Sequence, residues 1–324
     1  MTTEQIKPYR IIYMGTPEFA VVPLETIFHS EIDIIAIVTV PDKPAGRGLQ
    51  LKESPVKKFA LTNNIPVLQP VSLKDPAFIA ELRQFNADLF VVVAFRMLPK
   101  EVWQLPAHGT INLHASLLPR YRGAAPINHA IMNGDSKTGL TTFFIDEQID
   151  TGKIIGFTET DIPFHMTAGE LHDELMLKGS TLLLKTIRDI CNNQTEPVNQ
   201  QSFIIPDEEL PVAPKIKKED CRLIPTEKAE KVYNKIRGLS PYPGAFTTIS
   251  VNSKNTMIKV LAAELIDGRH KSLPGTILTD NKTYVYMVCN DGIISITELQ
   301  AEGKRRMKVE DFLRGVRSIE ESIQ

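Results

Sequence analysis

The sequence predicts an α/β protein with a doubly wound, mostly parallel sheet over residues 1–191, a linker over 192–213 and a small β-barrel over 214–324. Three observations carry this. In the first half, apolar β-branched runs alternate with helical periodicity, the pattern of a sheet covered on both faces. From Asn192 to Lys218 the composition turns to Asn, Gln, Pro and acidic residues with little periodicity. Beyond that, short strands are punctuated by Gly, Asn and Asp turns.

Each element follows from its residues. RIIYM at 10–14 is a strand ended by Gly15-Thr16-Pro17, and Pro17 suits the first turn of a helix running to about His29. IDIIAIVTV at 32–40 is too continuously apolar for a half-exposed strand and reads as a buried one. Helices around Pro55–Asn63 and Pro76–Phe85, the strand ADLFVVVAF, a short helical stretch at Lys100–Leu105 and the strand GTINLHAS come next. A helix near Ala125–Met132, the paired strands GLTTFFID and KIIGFTETDI, and a long helix over Ala168–Ile190 complete the first half. In the second half a helical piece around Thr226–Arg237 precedes the strands TTISV, MIKVLAAEL, TYVYMVC and GIISITEL.

Composition narrows the function. A chain of 324 residues suits two domains, and 42% hydrophobic content is ordinary for a soluble one. MTTEQIKPYR lacks the apolar stretch of a signal peptide, and no run approaches a membrane span, so a cytoplasmic protein with no membrane partner is expected. Cys191, Cys221 and Cys289 are odd in number and lie outside metal-ligand spacing; neither disulfide nor zinc is expected. The net charge of -2 argues against a uniformly basic nucleic-acid binder. Charge is nonetheless clustered. Pro214–Arg237 holds eight basic residues, Lys215 and Arg237 among them, against four acidic, and Lys304-Arg305-Arg306 forms a second cluster. A solvated helix face or a polyanion-binding surface accounts for either one.

The chemistry gathers around INLHASLLPRYRG. Strand alternation puts Asn112 and His114 on one face and Leu113 on the other, at the carboxyl end of a strand where open α/β sheets bind ligands. An amide and an imidazole aimed at one carbonyl can stabilise an oxyanion and move a proton; a polar pair capping a strand end is the plainer alternative. IDEQIDTGKII places Asp146, Glu147 and Asp150 beside Gly152 in a loop between two strands of the same sheet. A carboxylate near His114 would hold its tautomer and favour the imidazolium, although turn chemistry also explains Asp and Gly there.

INLHASLLPRYRGAAP and IDEQIDTGKI together resemble the signature of the formyltetrahydrofolate-dependent formyltransferases. GTPEFA, PDKPAGRG, IRGLSPYPGAFT and LQAEGKRRMKVEDFLRG extend the resemblance over nearly the whole chain, toward members that act on initiator methionyl-tRNA. It implies a Rossmann-like formyltransferase domain, an OB-like second domain, and transfer of formyl from 10-formyltetrahydrofolate, as co-substrate, to the α-amino group of methionine on the initiator tRNA for translation initiation. The catalytic set falls on Asn112, His114 and Asp150, with no metal and no covalent enzyme intermediate.

Further roles are implied by the same likeness. Folate contacts fall on Phe95, Arg96, Met97 and Leu98, on Ser116, Leu117, Leu118 and Pro119, and on Asp146. Many relatives have Tyr-Gly where Phe95-Arg96 stand, so Arg96 either braces its loop or faces the ligand. Substrate or tRNA contacts fall on Gly15, Thr16, Pro17 and Phe19, on Lys43 and Arg47 of the loop PDKPAGRGLQLKESP, and on Lys215, Arg237, Lys304, Arg305 and Arg306. That loop is not a P-loop, because no Gly-Lys-Ser/Thr follows at the required spacing. Arg120 and Arg122 attract the anionic folate tail or tRNA, or pair with the protein's own carboxylates. A monomer with no obligate protein partner is expected.

Three rivals stand beside this reading. A sugar-amine formyltransferase would share the trio but gives no reason for a basic second domain. A glycinamide ribonucleotide formyltransferase is normally a shorter single domain. A non-catalytic RNA-binding module would bind tRNA without turnover.

Overall fold

The computed structural model of the chain describes residues 9–45, 50–207, 209–268 and 270–320. Two compact units are formed, and they are not contiguous in sequence: the second gathers 124–138 and 161–171 with 213–324, and the first holds the remainder. The sequence alone suggested contiguous domains divided at 191 and 214. Residues 124–138 hold a helix over Pro126–Met132 and only the first two residues of a strand of the large sheet, Lys137 and Thr138.

The first unit is built on a seven-stranded sheet. Along the chain run β1 (Arg10–Gly15), α1 (Val21–Phe28), β2 (Asp33–Val38), the hairpin β3 (Lys43–Ala45) and β4 (Gln50–Lys52), α2 (Pro55–Thr62), β5 (Val67–Leu68), α3 (Pro76–Gln84), β6 (Leu89–Val93), α4 (Lys100–Trp103), β7 (Thr110–His114) and β8 (Arg122–Gly123). They are followed by α5 (Pro126–Met132), β9 (Lys137–Phe144), β10 (Ile154–Asp161), α6 (Ala168–Cys191) and β11 (Val212–Ala213). Strand order is β10-β9-β7-β6-β1-β2-β5. The pairs β6·β7, β1·β6, β1·β2 and β2·β5 are parallel, and β7·β9 is antiparallel. This is the doubly wound, mostly parallel sheet read from the sequence. The order reverses at β1 and β6, whose carboxyl ends mark the crevice side of such a sheet. Ile12, Met14, Ala36, Val38, Phe90 and Val92 form a buried core with Phe78 and Leu82 of α3.

Local chemistry sets the element ends. Ser54 and Asp75 cap α2 and α3 by accepting from the Lys57 and Ala77 amides, and a proline follows each cap. The helix expected from Pro17 is divided: Glu18–Ala20 is a 3-10 turn and α1 begins at Val21. Pro23 explains the break, because proline is tolerated only in the first turn of an α-helix, and a start at Val21 places it there. The basic loop PDKPAGRGLQLKESP contains the antiparallel β3·β4 ladder. The presumed linker is partly ordered by pairing: Val198 and Ile154 exchange two backbone hydrogen bonds of 2.8 Å, and Gln200–Phe203 forms a 3-10 turn.

The second unit carries the barrel-like antiparallel sheet: β12 (Ala245–Val251), β13 (Lys254–Asp267), β14 (Ile277–Thr279), β15 (Val285–Val288), β16 (Gly292–Ala301), β17 (Met307–Lys308) and β18 (Ile319–Glu320), in the order β14-β15-β16-β13-β12-β18 with β17 beside β16. In β12 burial alternates strictly, Ala245, Thr247, Ile249 and Val251 facing in. Two helices, α7 (Ala229–Gly238) and α8 (Val309–Arg314), contribute Val232, Ile236, Phe312 and Leu313 to its core. The helix α7 was expected three residues earlier. It starts at Ala229 because Asp291, from the turn before β16, caps it by accepting the Ala229 amide at 2.7 Å. No described helix is long and apolar enough to cross a membrane.

Candidate active site

Asn112 and His114 lie on one face of β7, at its carboxyl end, and Leu113 is buried on the other. The register with β9 sets Asn112 opposite Phe143 and His114 opposite Thr141. His114 is 6% exposed. Its Nε2 lies 2.9 Å from the Tyr121 carbonyl oxygen, which can only accept, so Nε2 carries a proton and donates it. Its Nδ1 faces the Asp150 carboxylate, Oδ2 at 3.8 Å. That separation exceeds a hydrogen bond. The ring is therefore oriented by Tyr121, while the Asp150 carboxylate lies just beyond direct hydrogen-bonding distance of it. Among the described residues the half-buried Asn112 amide has no side-chain hydrogen bond.

Asp150 is itself held firmly. Its Oδ2 accepts the Gly123 amide at 2.9 Å, and its backbone is left-handed at φ 56°. Tyr121 at φ 59° and Ala94 at φ 48° share that conformation. For residues with a Cβ it costs about 1–2 kcal/mol, and such strain gathers where geometry is imposed for function. Gly152 closes the same loop. A Cβ there would sit 1.7 Å from the Phe144 carbonyl oxygen. We expect Gly152→Ala to force the loop off β9, lowering stability by at least about 2 kcal/mol and turnover on the order of 100-fold; thermal melting and single-turnover rates check both. Wild-type melting in that variant would show that the chain relieves the clash without moving the loop.

The wall after β7 is fixed by hydroxyls. Ser116 Oγ donates to the Arg120 carbonyl at 2.7 Å, and Thr141 Oγ1 donates to the Ser116 carbonyl at 2.7 Å while accepting the Leu118 amide at 3.1 Å. Leu118 is buried against Phe143 and Ile154, Pro119 is buried and Leu117 is half-buried, so Ser116, Leu118 and Pro119 shape the wall. Asp146 is exposed and turns its Oδ1 back to the Gln148 amide and the Thr151 hydroxyl. Glu147 pairs with Lys100, which lowers its carboxyl below the usual range. Arg122 pairs with Gln200, its Nε and Nη2 lying 3.1 and 2.6 Å from Oε1. Burial lowers the Arg122 guanidinium, against the opposing pull of Asp150 and Asp146.

Arg96 follows β6 and reaches back to the loop after β5. Its Nη2 and Nη1 donate to the Pro70 and Val71 carbonyls at 2.9 and 3.2 Å, so it braces the loop, and desolvation lowers its guanidinium. Phe95 lies under it, 5.3 Å from ring centroid to guanidinium carbon. Leu98 is buried in the core and Met97 is 75% exposed. A 380 Å³ cavity lined by Leu82, Arg83, Asn86, Asp88 and Pro106 opens at the amino ends of β6 and β7, the end of the sheet away from this chemistry.

Several residues expected on a tRNA surface are interior. Gly15 is buried, with no room for a Cβ against Ala20 and the Val93 carbonyl, and Phe19 is 6% exposed against His172. Pro17 is exposed and Thr16 half-buried. Arg237 is 5% exposed; its guanidinium donates to Asn234 Oδ1 at 2.8 Å and to the Met166 and Ile131 carbonyls, and burial lowers it. Its role is to join three segments of the second unit. Lys43, Lys215, Lys304, Arg305 and Arg306 are exposed, with Arg306 paired to Glu298. Arg47 lies outside the described residues.

The three cysteines are unpaired. Burial pushes the Cys191 and Cys289 thiols up to about 12 and raises Cys221 as well. A raised thiol stays protonated through neutral pH and reacts slowly. Iodoacetamide at pH 8 is expected to leave turnover unchanged; inactivation matched to one modified cysteine would assign that thiol a role.

Sequence reasoning missed the Tyr121 carbonyl, the Gly123 amide and Gln200. The first two are backbone groups and leave no signature in residue identity. Gln200 sits in a stretch where Asn and Gln are common.

Residues 9–187 match the formyl transferase family, and residues 215–317 match the formyl transferase C-terminal domain. The chain is 47% identical over 309 residues to the methionyl-tRNA formyltransferase of Bacteroides thetaiotaomicron, covering 95% of this chain and 96% of that one. It is 46% identical to that of Flavobacterium johnsoniae over 95% of this chain and 96% of the relative. Among solved structures, WlaRD, a sugar 3N-formyl transferase determined with dTDP and 5-N-formyl-THF, superposes at a TM-score of 0.64 with 21% identity, over 92% of this chain and all of that one. That likeness concerns the fold.

Proposed function

This chain belongs to the methionyl-tRNA formyltransferase family, and from that premise we propose that it transfers formyl from 10-formyltetrahydrofolate to the α-amino group of methionine on initiator tRNA. The observation that carries it is identity of 47% sustained through both domains, the second included. The matched segments also support catalysis by residues 1–191 and tRNA binding by 214–324, joined through 192–213.

The reaction is acyl transfer between nitrogens. The neutral amine attacks the formyl carbon, a C–N bond forms, and the carbonyl π pair moves to oxygen. The Asn112 amide and a protonated His114 Nδ1 donate to that oxyanion, each donor contributing on the order of 100-fold. The Tyr121 carbonyl keeps the ring turned so that Nδ1 faces the site. Asp150 stabilises the charged ring and takes the proton from the attacking amine, which passes to the folate nitrogen as the old C–N bond breaks. The preset Gly123 amide keeps the carboxylate in place through both transfers.

Folate is a co-substrate in this scheme. The exposed Met97 and Val71, with Arg96 bracing the two loops that carry them, support a pterin-binding mouth at the carboxyl ends of β5 and β6. For the tRNA, the exposed Lys43, Lys215, Lys304 and Arg305 supply phosphate contacts. The enzyme acts as a soluble monomer in the cytoplasm.

Transfer of labelled formyl to charged initiator tRNA, charged elongator tRNA, free methionine and a nucleotide amino-sugar, run in parallel, tests the proposal. Transfer to the initiator alone is expected. Transfer to the sugar alone would keep the catalytic chemistry and overturn the tRNA assignment.

A further inference from the structure

We propose that Gln200 is a positioning residue for formyl transfer, fixing the Asp150 loop and Arg122 in one arrangement. The inference rests on the functional reading above and extends it to a segment that sequence composition marks as a linker.

The local build starts with chain pairing. The Val198–Ile154 exchange docks the segment beside the start of β10. Asn199 then caps the 3-10 turn, its side chain accepting the Gln201 amide at 3.1 Å, and Gln200 is delivered inward at 1% exposure. Its Nε2 donates to the Asp150 carbonyl at 2.9 Å and to the Gly152 carbonyl at 2.8 Å. Its Oε1 accepts from Arg122 Nε and Nη2. A primary amide has two N–H donors and two lone pairs, and all four are engaged. The network also fixes which way the amide points. Turned over, it would set N–H groups against a guanidinium and oxygen against two carbonyls.

The consequence reaches the chemistry through the backbone. Asp150 is held at φ 56°, a conformation that a free loop would leave. With the Asp150 and Gly152 carbonyls pinned by one buried amide, the carboxylate stays on the Gly123 amide and toward His114 Nδ1. Arg122, the residue just before that amide, is tied to the same side chain. Gln200 thus couples two loops without touching the reacting atoms.

Gln200→Met keeps the volume and removes all four hydrogen bonds; Gln200→Glu keeps the acceptor for Arg122 and removes both donors. Both variants are expected to lose kcat on the order of 100-fold, with KM for either substrate within about threefold, because misplacement of a catalytic group acts on the transition state. In an Asp150→Asn background Gln200→Met should cost less than about threefold more, since groups acting as a unit are not additive. A merely structural role would give the same factor in both backgrounds. Amide exchange of residues 146–152 without substrate is expected to quicken by about tenfold in Gln200→Met.

The inference is overturned if kcat stays within threefold of wild type, if the two losses multiply, or if loop exchange is unchanged. Wild-type enzyme that formylates no initiator tRNA would instead overturn the functional reading, with the exchange result still deciding whether Gln200 pins the loop.

Discussion

Asp150→Asn is expected to lower kcat by about 1,000-fold while leaving KM for tRNA and folate within about threefold. The substitution is close to isosteric, and asparagine tolerates the left-handed backbone that Asp150 adopts at φ 56°, so the loop is retained. What changes is charge. The negative charge facing His114 Nδ1 across 3.8 Å is gone, and no base remains to take the amine proton. An amide oxygen can still accept the Gly123 hydrogen bond, which keeps the site assembled and confines the loss to chemistry. Rapid-quench measurement of a single turnover reads this directly. A rate within tenfold of wild type would remove Asp150 from proton transfer.

His114→Ala carries a comparable loss for a different reason. It removes the proposed oxyanion donor and also the hydrogen bond from His114 Nε2 to the Tyr121 carbonyl. Loss of a buried hydrogen bond costs about 1 kcal/mol, so a fall in melting temperature should accompany a loss of about 1,000-fold or more in kcat. Its signature is combination with Asp150→Asn. If the carboxylate works partly through the ring, the double variant should lose far less than the product of the single losses. Fully multiplicative losses would mean that the two groups act independently, and the imidazole–carboxylate coupling would have to be abandoned. Folate affinity is expected to change little in either variant, because the loop bearing Met97 is braced separately by Arg96.

The physical origin of the site was legible in parts of the sequence. Asn112 and His114 stand two apart in a strand, and strand alternation alone dictates a shared face. Asp150 and Gly152 stand together in one loop between two strands, while the close approach of Gly152 to the Phe144 carbonyl is visible only in the structure. Charge clusters were a poorer guide. Arg237 reads like its basic neighbours, but it is spent inside the second unit on one side-chain oxygen and two carbonyls. Lys235 likewise turns its ammonium to the Arg222 carbonyl at 2.7 Å, and burial lowers it.

By itself, the sequence determined the strands, the helices and their alternation, since these depend on periodicities of two and 3.6 residues and on caps within a few positions. It also carried the proposed catalytic side chains and the family. The tertiary structure alone decided what orients them: Tyr121 holds the imidazole through a carbonyl, Gly123 holds the carboxylate through an amide, and Gln200 reaches across 50 residues to pin the loop. Asp291, which caps α7 across 62 residues, is of the same kind. Every residue other than proline carries the same backbone donor and acceptor, so which of them meets a side chain is set by chain folding and leaves no trace in residue identity.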